Sequence, residues 1–192
     1  MANLSINKSF ALKILQYVII FLLLYQVFHV LDHALQYYQF YVLGIFPPPA
    51  LFEGLLNASD NKVHLWLNII EFAAIILIAV CFYLTNAYTK RIHRIVSNRS
   101  SATSATKILQ YTIIFLVVYQ SLHVLDHVFQ FYELYLLGIS PPPALFEGLF
   151  NESDTKIHLW INGILFVASV TIFIAFILYK KDYKISLSSI EK

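Results

Sequence analysis

Charge is what this sequence most lacks. Only 12% of its 192 residues are Asp, Glu, Lys or Arg, about half the share of a soluble domain. So few charges cannot cover a water-facing surface, which excludes a soluble globular protein and a disordered chain alike. Cysteine is nearly absent too. Cys81 stands alone and cannot bridge within its own chain, so there is no disulfide framework and no clue to redox compartment. Five glycines and six prolines exclude collagen-like and low-complexity chains. The net charge of +2 sits in a few short segments and gives no footprint for nucleic acid. What is abundant is apolar: 59% of residues are hydrophobic and the mean hydropathy is +0.68. The sequence reads as a small polytopic membrane protein.

Uncharged runs support that reading. Eighteen residues without charge separate Lys13 from Asp32, Glu71 is the one charge in 63–89, and 108–125 and 157–179 carry none. A helical crossing needs about 20 mainly apolar residues. Four transmembrane helices fit, and period-2 alternation is absent, so an all-α integral membrane fold is expected.

A shift of 94 residues aligns the chain with itself. Lys13-Ile-Leu-Gln-Tyr17 returns at Lys107–Tyr111, and His29-Val-Leu-Asp-His33 at His123–His127. Pro47-Pro-Pro-Ala-Leu-Phe-Glu-Gly-Leu55 returns at Pro141–Leu149, and His64-Leu-Trp66 at His158–Trp160. Of the 56 positions from 13 to 68, 39 are identical across the shift. The period is too long for a solenoid unit and marks a tandem duplication of a two-helix hairpin. The expected organisation is an N-terminus (1–12), repeat 1 (13–90), a basic linker (91–106), repeat 2 (107–181) and a tail (182–192). Residues 8–31 have the look of a signal peptide, but their counterpart 102–125 is internal, so the first helix is expected to be retained.

Lys and Arg placement sets the expected orientation. The linker region carries Lys90, Arg91, Arg94, Arg99 and Lys107 without an acid, the N-terminus Lys8 and Lys13, and the tail Lys180, Lys181, Lys184 and Lys192. The hairpin loops have only Lys62 and Lys156 against Glu53, Asp60, Glu147, Glu152 and Asp154. Termini and linker should be cytoplasmic and the Pro-rich loops outside. Two helices per repeat give both repeats one orientation, related by an axis along the membrane normal.

Within each repeat the first helix can run from Lys13 to Leu43, with Gly44 as the stop. Its aromatic last third (Tyr37, Tyr38, Phe40, Tyr41; Phe131, Tyr132, Tyr135) suits the interfacial belt, as do Trp66 and Trp160 beside the loops. The triple proline forces an extended turn, and Ser or Asp at 59–60 and 153–154 can cap the returning helix. Asn57 and Asn151 match the glycosylation pattern, as do Asn3, Asn7 and Asn98, so the pattern discriminates little.

Six of seven histidines are repeated: His29, His33, His64, His123, His127 and His158; His93 falls in the basic linker. His29, Asp32 and His33 share one helix face, as do His123, Asp126 and His127. Gln26 and Gln36 extend that stripe, as Gln120 and Gln130 do in the copy. On the returning helices His64 and Asn68, and His158 and Asn162, are one turn apart. His29 to His33 lie about 24–30 Å above Lys13, and His64 lies about 32 Å above Thr85. The two sets therefore fall in one layer near the extracytoplasmic boundary. Ionisable groups at that depth face an interior or a cavity.

Imidazole suits Cu, Zn or Fe, and Asp32 or Asp126 can ligate or orient a histidine. The candidate metal residues are His29, Asp32, His33, His64, His123, Asp126, His127 and His158. A subunit of a larger membrane complex is the leading reading, because the short loops leave little soluble machinery. Its partners would be lipid, other membrane subunits or another copy of itself.

Three rivals stand beside it. Haem b would need facing axial histidines and room for a macrocycle, and it does not explain the adjacent Asp. A small intramembrane metalloenzyme would use Asp32 or Asp126 as base. A purely structural subunit would use the polar groups as interhelical hydrogen bonds. The pattern is distantly similar to histidine-box membrane oxygenases and to the Asp/His sites of membrane copper monooxygenases. Their spacings differ and their catalytic subunits are larger, so the likeness implies only a setting in which small helical metal-binding subunits occur. A hairpin brings its own two helices together, so two separate mononuclear sites are expected. Glu71, with Leu165 as its counterpart, either pairs with a polar group of the bundle or marks a difference between the halves. Glu53 and Glu147 are expected to be solvated.

Overall fold

The computed structural model describes residues 2–46, 48–49, 51, 55, 60–96, 104–140, 145–150 and 152–188. The described residues form helices α1 (Ala2–Tyr41), α2 (Asp60–Val96), α3 (Ser104–Tyr135), a short α4 (Leu145–Phe150) and α5 (Asp154–Ser188). Neither Gly nor Pro interrupts α1, α2 or α3, and only Gly163 lies within α5. An unbroken helix satisfies its own backbone, the condition for crossing lipid. Four stretches are long and apolar enough to cross: Phe10–Tyr41, Lys62–Ala87, Ser104–Tyr135 and Asp154–Lys181.

Two boundaries differ from the sequence expectation. The first helix begins at Ala2 rather than Lys13, and the last runs on to Ser188, because no breaker stops either. Part of the second Pro-rich loop is itself helical, as α4. The stop is where glycine put it. Gly44 and Gly138 have φ of 67° and 69°, and the Ile45 and Ile139 N–H groups donate to the Gln39 and Glu133 carbonyls at 3.0 Å. Each bond closes seven residues around a glycine in the left-handed region, a backbone conformation that glycine adopts without steric cost.

Ser153 begins α5, its carbonyl accepting from the Lys156 and Ile157 N–H groups at 3.0 Å. Its hydroxyl is hydrogen-bonded to the Tyr41 hydroxyl at 2.5 Å and ties the ends of α1 and α5 together. Ser59, Asn57, Asn98, Asn151, Glu53 and the proline run 141–143 lie outside the described residues, as do the side chains of Asp60, His93 and Glu147.

The long helices close a ring in which α1 packs on α2 and α5, and α3 packs on α2 and α5. Among the described residues the backbones of α1 and α3, and of α2 and α5, stay apart on the diagonals. The α1–α5 and α2–α3 contacts are the more extensive, so each helix packs more on the other repeat than on its own. Lys180 Nζ donates to Gln16 Oε1 at 2.7 Å, which joins the α5 end to the α1 start.

The interior is divided along its length. Toward the linker it is apolar, with Leu15, Ile19, Leu22, Ile75, Ile78, Leu109, Leu116, Leu165 and Ile172 buried. Toward the Pro-rich loops it is polar, while large apolar side chains such as Leu24, Leu31, Ile70, Val118, Leu125 and Val167 face outward. Apolar outside and polar inside is what a lipid solvent selects.

Candidate metal centre

Helical spacing brings the polar residues to the ring's centre. On α1, Gln26, His29, Asp32, His33 and Gln36 are all buried, as are Gln120, His123, Asp126, His127 and Gln130 on α3. On α2 the buried stripe is His64, Asn68 and Glu71; on α5 it is His158, Asn162 and Leu165. Steps of three and four residues keep each set on one face.

The histidines gather as two triads, His29–His33–His64 and His123–His127–His158. Within each, one ligand atom per residue lies within 4.8 Å of the others. They are two groups, each drawn from one repeat as the sequence reading expected, and they abut. His33 stacks on His158 with ring centroids 5.4 Å apart, and His64 on His127 at 5.8 Å. The reason is the ring closure: α5 lies beside α1 and α3 beside α2, so the two repeats face each other across the axis. The two triads thus lie ring to ring.

Neighbouring polar groups aim the imidazoles. Gln130 Nε2 donates to Asp154 Oδ1 at 3.1 Å, which turns Gln130 Oε1 toward His127 Nδ1 at 2.9 Å. His127 Nδ1 must therefore carry its proton. His158 Nδ1 faces the Asp154 carbonyl at 3.0 Å and Oδ1 at 3.1 Å, both acceptors, so it donates as well. In neutral rings both Nε2 atoms are then lone-pair acceptors. Yet they face each other at 3.2 Å. Either a proton on His158, held by the Asp154 carboxylate, or a metal ion between the two rings makes that arrangement favourable. Two imidazoles bound at about 2.0–2.1 Å to one tetrahedral ion would stand about 3.3 Å apart.

Other nitrogens point the same way. Both ring nitrogens of His29 and of His123, and Nε2 of His33, are buried without a hydrogen-bond partner. Leaving one buried polar group unsatisfied costs about 1–3 kcal/mol. Five such atoms would cost a sum comparable with the whole stability of a domain, about 5–15 kcal/mol. A ligand that engages them removes the conflict.

The aspartates sit beside the triads, not among their mutually close ligand atoms. Asp32 Oδ1 accepts the Leu51 N–H at 2.5 Å, and Asp126 Oδ1 accepts the Phe146 N–H at 3.3 Å. Each carboxylate thus holds a loop segment over the histidines, and Asp126 caps the start of α4 from another helix. Asp32 Oδ2 also lies 3.9 Å from His64 Nε2.

Below the histidines, Gln120 Nε2 donates to Asn68 Oδ1 at 2.9 Å, and Asn68 Nδ2 to the His64 carbonyl at 2.8 Å. Gln26 Nε2 donates to Glu71 Oε1, so Glu71 does pair within the bundle. Trp66 and Trp160 are exposed, at the bundle's periphery. Two contributors were not legible beforehand. Asp154 supports His158 from one turn away, a signal present in the Asp-x-x-x-His spacing. Tyr25 packs its ring edge on His29 at 5.4 Å, and nothing in the sequence marked it.

The chain matches no known protein family, no curated protein and no solved structure. What the site itself defines is a helical, membrane-crossing class of protein with two buried histidine triads able to hold metal.

Proposed function

We propose that this protein is an integral membrane metal-binding protein. It holds transition-metal ions, copper, zinc or iron, in two abutting histidine triads near the extracytoplasmic face. It arose by tandem duplication of a two-helix hairpin, and its two parallel repeats are related by an axis along the membrane normal. The carrying observation is the convergence of three buried histidines in each triad, with one ligand atom of each within 4.8 Å of the others, together with the ring nitrogens of His29 and His123 that have no hydrogen-bond partner. Rings packed 4.8 to 6.3 Å apart within and between the triads favour ions over a planar macrocycle. The short loops and the many large apolar side chains on the exterior favour a role as a subunit of a larger membrane complex, such as a metal-dependent oxidoreductase.

The deciding experiment is elemental analysis with a visible spectrum on gently extracted protein. Near-stoichiometric copper, zinc or iron is expected, lowered in a His127→Ala/His158→Ala variant and lost when His29 and His33 are replaced by Ala as well, in protein that still inserts. Metal-free protein, unable to take up added ions, would overturn the reading in favour of a structural subunit. A haem Soret band would replace it with an electron carrier.

A further inference from the structure

The two triads are written with the same residues, yet among the described residues one fully buried acid beside them has no acidic counterpart. Asp32 pairs with Asp126, Asp60 with Asp154 and Glu53 with Glu147 at the 94-residue shift, but Glu71 is answered by Leu165. Both are wholly buried. Glu133 and Glu152 also lack acidic counterparts. However, Glu152 is exposed and pairs with Lys156 at 2.7 Å, and Glu133 lies six residues past His127, about 9 Å farther along the helix.

Glu71 is different because it touches a triad. Its Oε2 lies 3.7 Å from His29 Nδ1. Neither His29 Nδ1 nor its match, His123 Nδ1, makes a hydrogen bond, but His29 has the Glu71 carboxylate nearby, and in repeat 2 leucine is the residue at that position. The surrounding amides have shifted accordingly. Gln120 of repeat 2 donates to Asn68, whereas its equivalent Gln26 donates to Glu71. Asn162, the residue Gln26 would have met, keeps an unpartnered Oδ1.

We infer that the two triads are inequivalent metal sites, with Glu71 as a positioning residue that makes the repeat 1 triad the tighter one. The inference rests on the metal-binding reading. At 3.7 Å the carboxylate acts on the ring through its charge rather than a hydrogen bond; when ionised it favours a proton on Nδ1, leaves Nε2 for the ion, and sets a negative charge near the cation in a site that water screens poorly. Loss of such a partner costs 10–100-fold in metal affinity. Glu71 reaches the ion through His29.

The test uses the full chain in detergent, stripped of metal and titrated with Co(II). Each triad is isolated by disabling the other. His123→Ala/His127→Ala leaves the repeat 1 triad, and His29→Ala/His33→Ala leaves the repeat 2 triad. The repeat 1 site should bind Co(II) about 10–100-fold more tightly. Glu71→Leu should remove that advantage and leave the repeat 2 site unchanged. Leu165→Glu should raise the repeat 2 site by a similar factor, and it decides the matter if the Glu71 variant does not fold. Equal affinities, or an unchanged repeat 1 affinity in Glu71→Leu, would overturn the inference with the metal reading intact. Failure of either triad and of the unaltered protein to bind Co(II) would instead remove the metal reading itself.

Discussion

His33 and His158 stack with planes 24° from parallel and centroids 5.4 Å apart, although one belongs to the first repeat and the other to the second. Their contact joins two triads that the sequence wrote separately. Ions held in the two triads would sit near enough to feel one another.

That closeness gives a spectroscopic expectation. With Cu(II) loaded to two equivalents, the electron paramagnetic resonance spectrum should show strong spin coupling, and half-loaded protein should not. Two sharp, independent Cu(II) signals at full loading would place the ions in separate sites.

Asp126 discriminates loop anchor from ligand. Asp126→Ala removes the acceptor of the Phe146 N–H, a capping loss of about 1 kcal/mol. Amide exchange over 145–150 should quicken and thermal stability should fall slightly, with bound metal retained. Loss of one ion per chain would make Asp126 a direct ligand after all.

Proton competition has a definite sign. Imidazole binds metal only when neutral, with an unperturbed pKa of about 6.5. Each bound ion must therefore exclude protons from three rings. Apparent affinity should fall as acid is added, by up to three decades per pH unit once all three rings are competing. Equilibrium dialysis at a series of pH values measures this, and an affinity that stays flat down to the pH at which the protein unfolds would show that the histidines are not the ligands.

Sidedness rests on the Lys and Arg distribution. Leu149 is exposed at the loop end, and Ser101 belongs to the basic linker. With Cys81 replaced by Ala, Leu149→Cys should react with an impermeant thiol reagent in intact cells, and Ser101→Cys only after lysis. The reverse pattern would put the histidine layer at the cytoplasmic face.

The helix stops can be probed too. Gly44→Ala and Gly138→Ala each force a side chain into a left-handed conformation, costing about 1–2 kcal/mol. The combined variant should melt several degrees lower, while metal content holds if the stops act only on the chain's path. A melting temperature equal to the parent's would mean the turns relax without strain.

Which side chains share a face was settled by the sequence. His29, Asp32 and His33, and one turn of α2 from His64 to Asn68, are fixed by a rise of 1.5 Å and 3.6 residues per turn, which are properties of any helix. The apolar spans and the glycine stops at 44 and 138 are equally local, since each depends on side-chain transfer into lipid or on one residue's φ. The tertiary structure decided the rest. Whether α1 lies against α5, which turns His33 toward His158, depends on how four helices close a ring and how far each is rotated about its axis. Asp126 became a loop anchor because α4 folds back over α3. The opposed Nε2 atoms of His127 and His158 exist because Gln130 and Asp154, on different helices, meet and fix both tautomers. Periodicity in one helix carries no information about its rotation against another, because that rotation is set by packing and hydrogen bonds summed over the whole bundle.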